Sequence, residues 1–558
     1  MHHNPTRIAL AASLTACSAA SLASAQEAKN IILMISDGAG DTTWKAANQW
    51  QFGADANTGP AFQQRWENDF TQHWMTTFPG NTQPIPPALT GGSVLPISLI
   101  NEFDFPAPGS YDPAAANDQN TGPVNTLGTP AELGRGTTVP LTINPVLEFI
   151  DPGLVPLAEL AVSGLDVTQI DPGFAGYDYL TTTSITDSAA AGTALATGVK
   201  SYNSAISVDL DMQPLELITQ RAKAQGKAAG IVTTKEFTDA TPAAFSTNNI
   251  SRDNEAEISH DMIHNGLLDV IISPGHPEFD AASPAGPTPD PTPDYNVVSE
   301  ANLQALRDGT DGWTLVDDAN ALADIANGTQ PAPDRLFGLV PVSSALHSRT
   351  GNRTNAYDPT VFDPADPNGA VPFVMPDLDA LTQAAINTLA QDDDGFFLMV
   401  EGASVDSAAH ANDLPRMIEE QLSFNRAIDQ VIDWIENPAN GSSWDDTLLI
   451  ITTDHANGMF LGPDSATTFM QDPVPTAPGE LPDGIWWSTE HTNELVPLWT
   501  FGPGSELFAT LTDGFDPRRG DYIDNTDVYT VMSQVVPEPS TAALLAAGMA
   551  VMGFRRRG

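Results

Sequence analysis

Residues 28–38 read AKNIILMISDG, a continuous apolar run that ends in an aspartate and a glycine. An unbroken run of this kind is typical of a parallel strand buried on both faces, because a strand with one face in water alternates apolar and polar residues. Ligands in open α/β sheets bind beyond the carboxyl ends of the strands, which is where Asp37 would lie. The stretch therefore predicts a buried strand with a polar site at its end.

Similar apolar runs recur along the chain, and amphipathic helical stretches separate several of them. The runs lie at 228–234, 270–273, 396–401, 448–453 and 496–501, and helical examples lie at 214–225, 377–390 and 415–435. Strands that alternate with helices predict an α/β fold, with a mostly parallel central sheet flanked by helices on both faces. Glu401 and Asp454 stand at the ends of such runs, as Asp37 does.

Two regions depart from this alternation. Residues from about 46 to 180 are rich in Pro, Gly and Asn and predict a large, irregular insertion, either a lid or crown over the site or a surface decoration. Residues 274–296 carry a Pro/Asp tract that predicts a solvated loop.

The chain has 558 residues, with 71 Asp and Glu against 22 Lys and Arg, for a net charge of −49. Long-range repulsion from so acidic a surface argues against nucleic acid or an anionic membrane as the main partner. The same field repels phosphate. An enzyme that acts on phosphate would therefore need a strong local positive centre, which bound metal ions would supply.

The N-terminal residues 1–25 are predicted to be a secretory signal peptide. Arg7 provides a charged start, residues 8–14 are apolar, and Ala-Ser-Ala at 23–25 resembles a cleavage site for signal peptidase. A lipoprotein processing box at Cys17 is the alternative. Cys17 is the only cysteine, so the chain forms no internal disulfide.

The C-terminal residues 536–558 resemble the PEP-CTERM sorting tail of Gram-negative bacteria. They contain VPEPS at 536–540, an apolar run at 541–554 and three arginines at 555–557. The resemblance implies processing by an exosortase and delivery to the periplasm, the outer cell surface or the extracellular space. An ordinary membrane anchor at the C-terminus is the alternative, although the run is somewhat short for a membrane span.

Three of the ten histidines stand in phrases with acidic residues. Asp406 and His410 are four residues apart and would share one face of a helix. His455 follows Asp454 directly after an apolar run, and His491 follows a glutamate. One such histidine is more often structural, but three near predicted strand ends favour a metal centre, and mixed His and carboxylate ligands suit zinc.

Ser188 lies in TDSAAAGTA at 186–194, where the small residues predict a closely packed helix. At the helix N-terminus, backbone N–H groups and the helix dipole favour an anion, which would suit a serine that attacks phosphate esters. A simple N-cap serine is the alternative.

Six phrases of the chain resemble alkaline phosphatases and occur in the same order. They are NIILMISDG, TDSAAAGTALATGVKSYNSAI, TTKEFTDATPAAF, FFLMVEGASVDSAAH, TLLIITTDHANG and STEHT. The resemblance covers residues from about 28 to 45 and from 180 to 505. It implies an alkaline-phosphatase-like domain at 26–530 that hydrolyses phosphate monoesters and scavenges phosphate. Relatives are often dimers, so a homodimer is one state that the resemblance allows.

The resemblance also implies a role for each matching residue. Ser188 would be the nucleophile that becomes phosphorylated, and Arg252 would clamp two phosphate oxygens. Two zinc ions and one magnesium ion would be bound. The ligands of the first zinc would be Asp406, His410 and His491; those of the second zinc, Asp37, Asp454 and His455; and those of magnesium, Asp37, Thr241 and Glu401, with Asp239 acting through water.

The chain departs from the family at Ser407, where relatives carry a basic residue or a histidine, and in the long stretch between Asp37 and Ser188. Two alternative functions stay open. One is a phosphodiesterase of the same superfamily, since the two-zinc centre is shared. The other is a surface or matrix protein on an inactive scaffold. A sulfatase is disfavoured because Ser188 is followed by Ala-Ala-Ala-Gly.

Overall fold

The computed structural model describes residues 27–54, 64–80, 185–281, 287–347, 356, 375–466, 471–486, 488–492, 494–516 and 519–536. The predicted signal peptide with Cys17, most of the expected insertion, and the C-terminal tail from residue 537 lie outside these ranges. None of the helices within these ranges is long and apolar enough to cross a membrane.

Fifteen strands occur in the described ranges, and eleven of them form one sheet. In chain order the strands are β1 Asn30–Ile35, β2 Thr71–Thr76, β3 Ala228–Thr233, β4 Val270–Ser273, β5 Thr314–Val316, β6 Leu336–Leu339, β7 Phe396–Glu401, β8 Thr447–Thr452, β9 Ala456–Asn457, β10 Phe460–Leu461, β11 Ile485–Trp486, β12 His491–Thr492, β13 Val496–Phe501, β14 Gly514–Asp516 and β15 Gly520–Asp524. The order across the sheet is β14-β15-β2-β13-β8-β1-β7-β3-β4-β6-β5.

The middle of this sheet is parallel, as the sequence predicts. Strand β1 lies between β7 and β8 and is parallel to both. Ile35 at the end of β1 is in register with Glu401 on one side and Thr452 on the other. The carboxyl ends of the three strands therefore meet at one edge. Strands β13 and β14 are antiparallel to their neighbours, which makes the sheet mixed at one side.

Helices cover both faces of the sheet. They are α1 Asp41–Phe52, α2 Arg65–Asp69, α3 Ser188–Thr197, α4 Ile218–Ala224, α5 Ala240–Ala244, α6 Glu255–His264, α7 Glu300–Arg307, α8 Ala319–Ala326, α9 Leu378–Leu389, α10 Ser404–His410, α11 Leu414–Glu436 and α12 Thr526–Val535.

Alternation along β1 shows how the two faces are filled. Ile32 and Met34 belong to a buried cluster that includes residues of α1, α9 and α11. Ile31, Leu33 and Ile35 belong to a second cluster with residues of α3, α4, α6 and α12. A strand buried on both faces needs apolar residues at every position, and this explains the unbroken run that predicts it.

The described part of the expected insertion is largely regular. Helix α1 continues to Phe52, and β2 pairs with β13 and β15 inside the sheet. Trp50 and Trp66 are buried in the core. Large aromatic side chains supply enough apolar area to stabilise regular structure here. The region as a whole is rich in Pro, Gly and Asn, and this average composition hides the aromatic residues that indicate regular structure near its start.

Candidate active site

Adjacent parallel strands bring three carboxylates and a histidine together. Asp37 lies two residues beyond the end of β1, Glu401 ends β7, and Asp454 and His455 follow β8. All four side chains are buried. The expectation that these carboxylates share one edge of the sheet is confirmed by the strand order β7-β1-β8.

Gly38 allows a second layer to approach this edge. Its φ is +73°, and a Cβ built there would lie 2.8 Å from the Cα and Oδ1 of Asp406. Glycine has no Cβ and adopts positive φ readily, so helix α10 can pack directly against the end of β1. This close approach places Asp406 beside the carboxylates of the strand ends.

A first group consists of Asp406 and His410 on α10 with His491 on β12. The Nε2 atom of His491 lies 3.3 Å from Asp406 Oδ1, and the Nε2 atom of His410 lies 3.4 Å from Asp406 Oδ2. The two Nε2 atoms are 3.1 Å apart. The Nδ1 atoms of both rings face backbone carbonyls, of Thr489 for His410 and of Thr186 for His491.

A second group consists of Asp37, Asp454 and His455. His455 Nε2 lies 3.4 Å from Asp37 Oδ1 and 3.3 Å from Asp454 Oδ2. The rings of His455 and His491 stack with their centroids 3.6 Å apart, so the two groups adjoin. His455 is also close enough to Asp406 and His491 to be a candidate ligand with them. The sequence does not show this central position of His455.

Ser188 is the first residue of α3, and its hydroxyl points to this junction. Its Oγ lies 3.1 Å from His455 Nε2. The N-cap of α3 is Asp187, whose carboxylate accepts a hydrogen bond of 2.9 Å from Ala190 N. The alternative that Ser188 serves as a simple N-cap is therefore wrong, because the preceding aspartate performs that role.

Thr241 and Glu401 supply oxygen atoms that the protein leaves unpaired. Thr241 Oγ1 and Glu401 Oε1 are buried and make no hydrogen bond within the described ranges, and the same holds for Asp37 Oδ1 and Asp454 Oδ2. The other oxygen of Glu401 accepts a bond of 2.6 Å from Thr233. Buried polar atoms are rarely unpaired, so these oxygens are suited to bind cations.

Arg252 bridges the serine helix and Asp239. Its Nη2 donates to Asp239 Oδ1 at 2.8 Å, and its Nη1 donates to Asp187 Oδ2 at 3.4 Å. Lys235 also contacts Asp239, with Nζ 2.7 Å from Oδ2. Sequence reasoning missed Lys235, although it stands in the same phrase TTKEFTDATPAAF as Asp239.

Burial and mutual repulsion act on three of the acids. Burial, followed by the charges of Asp454 and Asp406, raises the pKa of Asp37. Burial and the charge of Asp239 raise the pKa of Glu401 to about 8, and burial also raises the pKa of Asp454 to about 6. Divalent cations would relieve this repulsion.

The donor atoms fit the expected metals. Each histidine of the first group directs Nδ1 at a carbonyl, so the neutral ring donates there and presents an Nε2 lone pair toward Asp406. Two such lone pairs 3.1 Å apart cannot bond to each other, but they can share a cation. Histidine with carboxylate suits zinc, whereas the oxygen set of Asp37, Thr241 and Glu401 suits magnesium.

A serine within a cluster of His and Asp side chains at the carboxyl edge of the sheet defines an α/β protein with a candidate metal centre for hydrolysis. The chain belongs to the alkaline phosphatase family, since the family model described as alkaline phosphatase matches residues 174–477. The model of the PEP-CTERM protein-sorting motif matches residues 535–557 and indicates export and sorting.

Known proteins support the same assignment. Alkaline phosphatase 3 of Bacillus subtilis is 31% identical over 394 residues, covering 59% of this chain and 74% of the relative. The alkaline phosphatase of Escherichia coli is 29% identical over 362 residues, covering 60% of this chain and 72% of the relative. The solved alkaline phosphatase of a psychrophilic Shewanella has a TM-score of 0.54 at 20% identity, covering 91% of this chain and 100% of that chain. The solved alkaline phosphatase of the Antarctic bacterium TAB5 has a TM-score of 0.51 at 18% identity, covering 92% of this chain and 98% of that chain. The predicted alkaline-phosphatase-like fold is confirmed.

Proposed function

We propose that this protein is an exported phosphomonoesterase that forms a phosphoserine at Ser188 and binds two zinc ions and one magnesium ion. The observation that carries the proposal is the position of Ser188 Oγ, 3.1 Å from His455 Nε2 at the junction of the two His/Asp groups. Small phosphate monoesters outside the cell are the proposed substrates, and phosphate scavenging is the proposed role.

The ligand assignment follows the groups in the structure. The first zinc would be held by Asp406, His410 and His491; the second by Asp37, Asp454 and His455; and magnesium by Asp37, Thr241 and Glu401, with Asp239 acting through water. Bound ions of this kind lower the pKa of a nearby hydroxyl and stabilise negative charge on entering and leaving oxygens. A solved mutant of the TAB5 alkaline phosphatase has Mg bound in its M3 site, which supports magnesium as a ligand of this fold.

The residues of the chain then divide the reaction into two displacements. In the first, Ser188 loses its proton to solvent, its Oγ bonds to phosphorus, and the bond to the leaving alcohol breaks as the alcohol takes up a proton. In the second, water attacks the same phosphorus, the Oγ–P bond breaks, and inorganic phosphate and serine are released. Arg252 would bind two equatorial oxygens throughout, since its planar donors match that geometry.

Chelation tests the metal dependence directly. We expect the purified, metal-loaded chain to hydrolyse a monoester, to lose roughly 10³-fold or more of its kcat after chelation, and to recover with zinc and magnesium together. Metal analysis before and after chelation gives the stoichiometry. Activity that is insensitive to chelation would contradict the proposal, and a diester turned over faster than the monoester would favour the phosphodiesterase alternative.

Replacement of Arg252 by lysine tests phosphate binding. Lysine keeps the charge but not the planar pair of donors, so we expect KM for a monoester to rise roughly tenfold or more. Arg65→Lys is a suitable control, because Arg65 pairs with Asp433 and Glu436 on the exposed surface. An unchanged KM in the Arg252 variant would remove this residue from the proposed site.

A further inference from the structure

Lys235 is a charged residue at the candidate site to which neither the sequence motifs nor the proposed mechanism assigns a role. It follows the end of β3 by two residues, and its side chain is 27% exposed. Its Nζ lies 2.7 Å from Asp239 Oδ2, while Arg252 Nη2 lies 2.8 Å from the other oxygen of the same carboxylate. Asp239 is thus held between two cations.

The charges around Arg252 explain why a second cation matters. Arg252 faces two carboxylates, Asp187 and Asp239, which together outweigh its single positive charge. Lys235 adds one positive charge and brings this set of four side chains to neutrality. Without Lys235 this set of side chains would carry a net negative charge, which would repel an incoming phosphate.

Other acidic side chains of the site also act on Lys235. The charge of Asp239 is the largest influence and raises the pKa of the Lys235 ammonium against the effect of burial, and Asp37 and Asp406 raise it further. The lysine is therefore within electrostatic reach of both His/Asp groups. Next to Asp406, residue 407 is an uncharged serine, so that position contributes no cation.

We propose that Lys235 is a positioning residue for phosphate: it balances the charge of Asp239, so that the side chains around Arg252 do not repel phosphate, and it thereby favours dianionic monoesters over monoanionic diesters. This inference rests on the proposed function. It assigns to Lys235 an effect on phosphate affinity rather than on the chemical step, because the lysine contacts Asp239 and not Ser188.

Lys235→Met and Lys235→Arg separate the charge from the shape of the side chain. In the metal-loaded full chain we expect Lys235→Met to raise KM for a monoester and the inhibition constant of inorganic phosphate by about tenfold or more, with a smaller change in kcat. Diester turnover should change less. Lys235→Arg should restore most of the phosphate affinity, because it returns the positive charge.

Lys223→Met is a matched control. Lys223 also lies 2.7 Å from its partner, Asp269, but Asp269 directly precedes β4 and so lies at the amino edge of the sheet. This variant should retain the wild-type constants. The inference is overturned if Lys235→Met keeps wild-type phosphate affinity, if it loses monoester and diester turnover equally, or if Lys235→Arg fails to restore binding.

Calorimetry with inorganic phosphate separates this inference from the proposed function. If the wild-type chain binds phosphate but hydrolyses no monoester, the proposed function fails, and the affinities of the Lys235 variants still test the role of the lysine. If the wild-type chain is an active monoesterase and the methionine variant binds phosphate normally, only the inference about Lys235 fails.

Discussion

Replacing Ser188 with alanine should lower kcat for a phosphate monoester by on the order of 10⁴-fold or more, because the substitution removes the oxygen that is proposed to attack phosphorus. We expect this loss because Ser188 Oγ lies at the junction of the two His/Asp groups. The substitution removes one oxygen and none of the proposed metal ligands. Zinc and magnesium contents should therefore equal those of the wild-type protein.

Two measurements make the result specific to the nucleophile. Incubation with a monoester followed by mass analysis should detect a phosphorylated serine in the wild-type chain and none in the variant. Ser259→Ala serves as a control, because Ser259 is also buried and its hydroxyl makes no hydrogen bond within the described ranges, but it lies on α6 away from the cluster. Turnover that survives in Ser188→Ala would remove the nucleophile from the mechanism.

Replacing Asp37 with asparagine should have opposite effects on stability with and without metal. Asp37 is a proposed ligand of both the second zinc and magnesium, so the variant should bind fewer ions and lose about 10³-fold or more in kcat. With metals present, its melting temperature should fall below that of the wild-type protein, because bound ions stabilise the folded state.

After chelation the order of the two melting temperatures should reverse. Burial and the nearby acids raise the pKa of Asp37, so above the ordinary pKa range of a carboxyl this residue destabilises the metal-free fold, and asparagine removes that penalty. The metal-free variant should therefore melt above the metal-free wild-type chain. Asp429→Asn is a matched control, since burial raises the pKa of Asp429 to about 6 outside the cluster. Asp429→Asn should change the melting temperature in the same direction with and without metal. A metal-free Asp37→Asn that melts lower than the wild-type chain would argue against a site built for cations.

The sequence predicts that site residues lie close together only where each of them directly follows a predicted strand. Asp37, Glu401 and Asp454 each follow an apolar run, and parallel strands bring their carboxyl ends to one edge. Arg252 has no such anchor, since it follows a loop, and its match rests on spacing. Its partners Asp187 and Asp239 are the N-cap residues of two different helices, and the pairing could not be read from a local pattern.

The sequence by itself determined the identity of the elements and the kinds of side chain at their ends. Unbroken apolar runs predict strands buried on both faces, because every position of such a strand contacts other residues rather than water. The six phrases in order indicate the family, and the matching family model confirms it. These are local properties, since each is expressed within a few turns or one strand.

Only the tertiary structure decided which of these side chains meet. It assigned the helix cap to Asp187, and this leaves the hydroxyl of Ser188 directed at His455. It also placed β2 inside the sheet and Lys235 against Asp239. The physical reason is that contacts between distant segments depend on strand order and on close approaches such as that at Gly38, and neither has a periodic signature in the chain.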